Sequence, residues 1–169
     1  MMSVELMPKR LQLLGELVPG AKTCAVLINP RNPGIERATT AVLQDAASGL
    51  GITLEIISAR SESELETAFT KIAALKADVL LVTTDPLFTG TPRHLVALAA
   101  RHAVPTSYPW REFVLAGGLI SYGPSLAEAY RQSGYTLARF SPAKVPSQSN
   151  LPTFVTLYHG PQPTPWRAA

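Results

Sequence analysis

The sequence predicts an α/β fold in which parallel strands are covered by helices on both faces. Three observations carry this. The run Thr23-Cys24-Ala25-Val26-Leu27-Ile28 is apolar at both odd and even positions and stops abruptly at Asn29-Pro30-Arg31-Asn32-Pro33-Gly34, the pattern of a strand buried on both sides. The pattern returns at Asp78-Val79-Leu80-Leu81-Val82-Thr83, which stops at Thr84-Asp85-Pro86. Between and beyond these runs, stretches with helical spacing alternate with short apolar ones, as βαβ units require.

Taken in order, Lys9–Val18 predicts a short helix with Leu11, Leu14 and Val18 on one side, ended by Pro19-Gly20. The first strand follows, and Pro30 and Pro33 prevent its continuation. Gly34–Leu50 predicts a helix with Thr39, Val42, Leu43, Ala46 and Leu50 at helical spacing and Gly51 as its cap. Ile52–Ile57 reads as the second strand. The next helix opens at Ser61-Glu62-Ser63-Glu64, where Ser61 with Glu64, or Ser63 with Glu66, has the spacing of a capping box. Its apolar stripe is Leu65, Ala68, Phe69, Ile72 and Leu75. After the third strand, Thr91-Pro92 starts a helix with proline in the tolerated first turn. Val104–Tyr108 is a fourth strand cut off by Pro109, Trp110–Leu115 one helical turn, and Leu119–Ser121 a fifth strand stopping at Tyr122-Gly123-Pro124. A last helix is expected over Ser125–Arg139. Five strands in this alternation fit a flavodoxin-like three-layer α/β/α lobe with parallel order 2-1-3-4-5. That order puts the switch point between the first and third strands, hence between Asn29 and Asp85.

At 169 residues the chain is one domain or one lobe of something larger, and 46% hydrophobic content suffices for a core. The expected division is a lobe over 8–140 and a proline-rich, poorly ordered tail over 141–169, which holds six prolines and no acid. Within that tail, Phe154–Tyr158 is an isolated apolar, extended segment. Up to Phe140 the chain has 13 basic and 12 acidic residues, so the formal +3 is in good part a tail effect and defines no basic face for nucleic acid. Cys24 is the only cysteine, which excludes an intrachain disulfide, and its place inside a strand marks an inert thiol. No apolar run approaches the ~18 residues of a membrane span. The amino terminus lacks the basic and apolar regions of a signal peptide, so the chain as it stands is expected in the cytoplasm.

Catalytic and metal motifs are missing from the sequence. His94, His102 and His159 are scattered, so no metal site is expected. There is no G-x-S-x-G elbow, no G-x-G-x-x-G after the first strand and no Walker loop, so neither cofactor nor enzyme activity is expected. A phosphate-receiver domain would need acids where Asn29-Pro30 stands and a lysine where Ser107-Tyr108-Pro109 stands. The residues left at the predicted rim are Asn29, Asn32, Ser58, Asp85, Phe88, Tyr108, Trp110, Ser121 and Tyr122. Amides, hydroxyls, one carboxylate and aromatics suit a small polar ligand, with Asp85 able to pair with an ammonium and the helix starts at Gly34 and Thr91 able to receive a carboxylate. The same residue types also cap helices and build turns.

A longer series of residues is similar to a known family. It runs from Lys9-Arg10-Leu11 with Glu16-Leu17-Val18-Pro19-Gly20 through Val26–Pro33, then Ala77–Val82 with Asp85-Pro86-Leu87-Phe88. It continues with Ala99-Ala100-Arg101-His102, Pro105, Tyr108-Pro109, Arg111-Glu112-Phe113-Val114 and Ala116–Pro124. Over residues 8 to 139 this resembles the ABC-transporter substrate-binding proteins, including tryptophan- and other aromatic-amino-acid-binding members. The resemblance implies the second of two periplasmic-binding-protein-like lobes that close on a ligand and deliver it to an ABC permease, outside the cytoplasm. It implies ligand contacts from Asn29, Asn32, Asp85, Phe88, Tyr108 and Tyr122. The series stops after Arg139, and a first lobe is missing, so a truncated or frame-shifted product is expected, with a half-cleft that binds weakly alone and an exposed cleft face open to self-association. A second reading, an effector-binding domain of a sensor or transcription regulator, uses similar lobes; no helix-turn-helix with a basic recognition face accompanies this one.

Overall fold

The computed structural model describes residues 5–124 and 153–157. Its elements are helix α1 (Met7–Leu17), strand β1 (Thr23–Ile28), α2 (Pro33–Leu50), β2 (Thr53–Ser58), a 3-10 turn (Glu62–Glu64), α3 (Leu65–Ala74) and β3 (Val79–Val82). There follow α4, a single turn over Pro86–Thr89, then α5 (Pro92–Arg101), β4 (Thr106–Tyr108), α6 (Arg111–Leu115), β5 (Ile120–Pro124) and β6 (Thr153–Leu157). Strands β1 to β5 form the expected parallel sheet in the order β2-β1-β3-β4-β5. The expected helix over Ser125–Arg139 lies outside the described residues.

One element differs from the sequence reading. Thr153–Leu157 is not an isolated segment: it pairs antiparallel with β5, Tyr122 opposite Val155 and Pro124 opposite Thr153, and makes a sixth strand at the sheet edge. A strand edge presents unpaired N–H and C=O groups, and a short apolar β-branched segment elsewhere in the chain can satisfy them. The rest of 141–169 lies outside the described residues.

Alternation along the strands divides the core in two. Ala25, Leu27, Leu80 and Val82 face one side, packed with Leu65, Phe69 and Ile72 of α3, Leu95 and Ala99 of α5, and Phe113 of α6. Cys24, Val26, Ile28, Val79 and Leu81 face the other, under Met7, Leu11 and Leu14 of α1 and Leu43 and Ala47 of α2. Each fully buried leucine or phenylalanine contributes roughly 1.5–3 kcal/mol, so these two layers hold the sheet. Helix ends follow one device. After α2, α3 and α5 the chain turns left-handed at Gly51, Lys76 and Ala103, and the next residue's N–H donates back to a carbonyl of the last turn: Ile52 to Ala47, Ala77 to Ile72, Val104 to Ala99. The capping box expected at Ser61 is not formed. Glu64 instead accepts from the Arg60 N–H at 2.9 Å, one residue earlier, because Glu62–Glu64 is a 3-10 turn that shifts the register.

The strand ends are close-packed where β4 meets β5. A Cβ built on Gly123 would stand 2.3 Å from the carbonyl oxygen of Pro109, which is backbone and cannot swing away. Gly123→Ala is expected to lower stability by about 1–3 kcal/mol, the usual cost of overpacking, in urea denaturation; an unchanged midpoint would refute this contact. Cys24 has no exposed surface, and burial pushes its thiol up to about 12, partly offset by the Arg10 charge. A thiol reagent at about pH 8 is therefore expected to leave the native protein unmodified and to label it fully in denaturant; fast native labelling would contradict this packing.

Candidate functional site

The carboxyl ends of β1, β3, β4 and β5 lie along one edge of the sheet, where open parallel sheets bind ligands. At the switch point between β1 and β3, three of the residues expected from sequence come together. The Asn29 side-chain amide donates to Asp85 Oδ1 at 2.9 Å, the Asn32 amide donates to Asp85 Oδ2, and the Leu87 backbone N–H donates to Oδ1 at 2.9 Å. Asp85 is thereby the N-cap of α4, and its own carbonyl accepts from the Thr89 N–H and Oγ1. Asn29 is engaged at both ends, since its Oδ1 accepts from the Arg31 N–H at 3.0 Å. Close by, Thr83 donates to the Leu27 carbonyl through both N–H and Oγ1, at 3.1 and 2.8 Å. The first and third strands are thus tied through one carboxylate and one carbonyl.

This geometry changes the expected role of Asp85. At 3% exposure, with three donors on its two oxygens, its carboxylate balances protein amides in this conformation rather than standing free for an ammonium. Two more of the residues expected at the rim lie in the core. Phe88 has no exposed surface and belongs to the core under α5. Tyr108 is 1% exposed and its ring stacks on Phe113, centroids 4.8 Å apart and planes 10° from parallel. Burial pushes its phenol above the usual range, partly offset by a hydrogen bond with the Thr106 side chain. The physical reason is alternation: Tyr108 shares the face of the sheet on which α5 and α6 pack, and that face is covered. Of the six residues, Asn29, Asn32 and Tyr122 keep partial exposure at the edge.

Helix starts complete the edge. Asn32 is the N-cap position of α2, yet its side chain makes no capping bond; its amide goes to Asp85 instead. Pro33 brings no N–H, and those of Ile35 and Glu36 donate to the Asn32 carbonyl at 3.0 and 3.2 Å, which leaves the Gly34 N–H without a side-chain acceptor at the positive end of this 18-residue helix. Thr91, before α5, likewise makes no cap; its hydroxyl donates to the Leu87 carbonyl at 3.1 Å.

Sequence reasoning missed Arg10, Thr84 and Glu112. Arg10 is 1% exposed and donates through Nε to Ser107 Oγ at 3.2 Å, and through Nη2 to the carbonyls of Val82 at 2.8 Å and Ser107 at 2.5 Å. Its Nη1 points at the Met7 sulfur, 3.0 Å away. Burial lowers its pKa to about 9, the Cys24 interaction acting the other way, which leaves it cationic at neutral pH. The signal was present: Met7, Arg10, Leu11 and Leu14 share one helical stripe. Among the described residues, Thr84 Oγ1, Trp110 Nε1 and Glu112 Oε2 are buried atoms without a hydrogen-bond partner. Thr84 and Trp110 each lie three residues past the last registered β3–β4 pair, Leu81 with Ser107, and a lone Thr or Glu in such a string gives no sequence signal. Among the described residues no three His, Cys, Asp or Glu side chains gather as metal ligands do.

Asp85→Ala strands two amides and one helix N–H. It is expected to cost about 2–3 kcal/mol of stability, in line with hydrogen bonds to a charged group, in urea denaturation of the whole chain. A loss below about 0.5 kcal/mol, the range of ordinary surface changes, would show that the contacts are dispensable.

A family model described as ABC transporter substrate binding protein matches residues 2–144. No curated protein matches the sequence. Among solved structures, the ABC domain in complex with L-Trp from Streptococcus pneumonia aligns with a TM-score of 0.68 at 19% identity, over 79% of this chain and 46% of that one. A conserved domain protein from Vibrio cholerae aligns at 0.64 and 19% identity, over 89% and 52%. The ligand-free, open structure of a substrate binding protein with adhesive properties from Clostridium difficile aligns at 0.62 and 21% identity, over 86% and 50%. At such identities the likeness shows the fold, and this chain spans about half the length of these structures.

Proposed function

The chain belongs to the ABC transporter substrate-binding protein family, and we propose that it supplies one wall of a site for a free amino acid, working with an ABC permease outside the cytoplasm. The observation that carries this reading is the switch-point edge itself. Asp85 holds the Asn29–Asn32 loop against β3, and in doing so leaves the start of α2 uncapped. An uncapped helix N-terminus favours an anionic group such as a ligand carboxylate. Asn32 and Tyr122 are half-buried on the same edge of the sheet and add polar groups along it. The L-Trp named with the Streptococcus structure supports the choice of an amino acid. The fold and the family support a binding role over catalysis, since catalysis needs convergent acid, base and nucleophile. A second wall, from another lobe, would enclose the ligand, as small-molecule sites bury most of their ligand's surface.

With one wall, affinity is expected near the millimolar range, about −4 kcal/mol. Heteronuclear NMR titration with L-tryptophan, L-phenylalanine and L-leucine is expected to shift the amides of 29–36, 83–91 and 120–123 and to leave those of 12–21 unmoved. Saturating shifts confined to another face, or none up to roughly ten times that concentration, would refute the assignment.

A further inference from the structure

We propose that Arg10 is a positioning residue for the ligand-facing edge: from helix α1 it supplies the rung that joins the ends of β3 and β4. The proposal rests on the reading of this edge as the binding edge. The sheet is unevenly knit. β1 has six registered pairs with β2 and four with β3, whereas β3 has two with β4, and β4 two with β5. Pairing between β3 and β4 ends at Leu81 with Ser107. At that level the Arg10 fork takes the carbonyls of Val82 and Ser107, one on each strand, together with the Ser107 hydroxyl. The residues that follow are those of the edge: Thr83, which donates to Leu27; Thr84; Asp85, which holds Asn29 and Asn32; and, after β4, Pro109 and Trp110.

A buried guanidinium is costly unless its donors are matched. Among the described residues no carboxylate lies within ion-pair distance of Arg10, so carbonyl dipoles and a hydroxyl carry its charge. That choice of partners is informative. A cation kept for helix packing alone is replaceable by leucine, which fits the Met7, Leu11 and Leu14 stripe. A planar fork with two strand-end acceptors does what an apolar side chain cannot, since it fixes two backbones relative to each other. Lysine keeps the charge but is a point donor, without the rigid fork that spans both strands. The positions of Asp85 and Trp110, which follow on these two strand ends, thereby depend on Arg10.

The test is hydrogen exchange with mass spectrometry on the full chain and on Arg10→Lys and Arg10→Met, with the emission of Trp110 read in a Trp166→Phe background. Both variants are expected to exchange roughly ten-fold faster in peptides covering 82–88 and 107–113, while 23–28 and 53–58 keep their protection. The Trp110 emission is expected to shift in both. Uniform acceleration in all four segments, or none at the edge, would overturn the proposal, the first by making Arg10 a general core residue. If Arg10→Met does not fold, Arg10→Lys decides alone. An L-tryptophan titration separates the two claims. Wild-type perturbation that weakens at least ten-fold in Arg10→Lys supports both. Absence of any wild-type response counts against the amino-acid reading, while the exchange pattern still judges Arg10.

Discussion

Two carboxylates seven residues apart bracket the third strand and hold it to the first. At one end, Asp78 Oδ2 accepts from the N–H groups of Lys22 and Thr23, both at 2.9 Å, where β1 begins. At the other, Asp85 gathers the side chains of Asn29 and Asn32, where β1 ends. Between them four strand pairs are in register, Cys24 with Val79 to Leu27 with Val82. Ligand sites in such sheets open where the strand order reverses, and there the neighbouring loops diverge to opposite faces. The divergence removes backbone partners on both sides. A carboxylate that accepts from the Asn29 and Asn32 side chains of one loop and the Leu87 N–H of the other ties the two together, and its hydrogen bonds are stronger than neutral ones. The rest of the edge is built outward from this tie.

Moving from β1 toward β5, the means of holding strands together change. The β2-β1-β3 half is held by long ladders and by side chains buried on both faces. The β3-β4-β5 half has short ladders, so single side chains and close contacts take over: Arg10 between β3 and β4, the stacked Tyr108 and Phe113 under β4, and Gly123 against Pro109 between β4 and β5. The ladders are therefore shortest on either side of β4.

Family membership and the edge geometry bear on each other. The family binds solutes for transport, a task that needs a preformed but open surface rather than reactive groups. The edge carries half-buried Asn32 and Tyr122 and a helix start without a side-chain cap, with the Asp85 carboxylate already occupied by protein donors.

The fold was legible in the sequence because it rests on local periodicity. Apolar runs without alternation marked β1 and β3 as doubly covered, helical stripes placed α2, α3 and α5, and alternation of the two gave parallel order. The meeting of Asn29, Asn32 and Asp85 was legible for the same reason, since topology alone brings the ends of the first and third strands together. The burial of Phe88 and Tyr108 was not legible, because an aromatic beside a turn looks the same whether it faces the edge or the core. Only packing against α5 and α6 decides, through the face on which each side chain falls. The pairing of Thr153–Leu157 with β5 depends on a contact between residues far apart in the chain, which no local pattern encodes. Arg10 lies between these cases. Its position on the α1 stripe was written in the sequence, but its meaning was not, because the carbonyls that accept from it belong to Val82 and Ser107, and only the folded sheet sets them side by side.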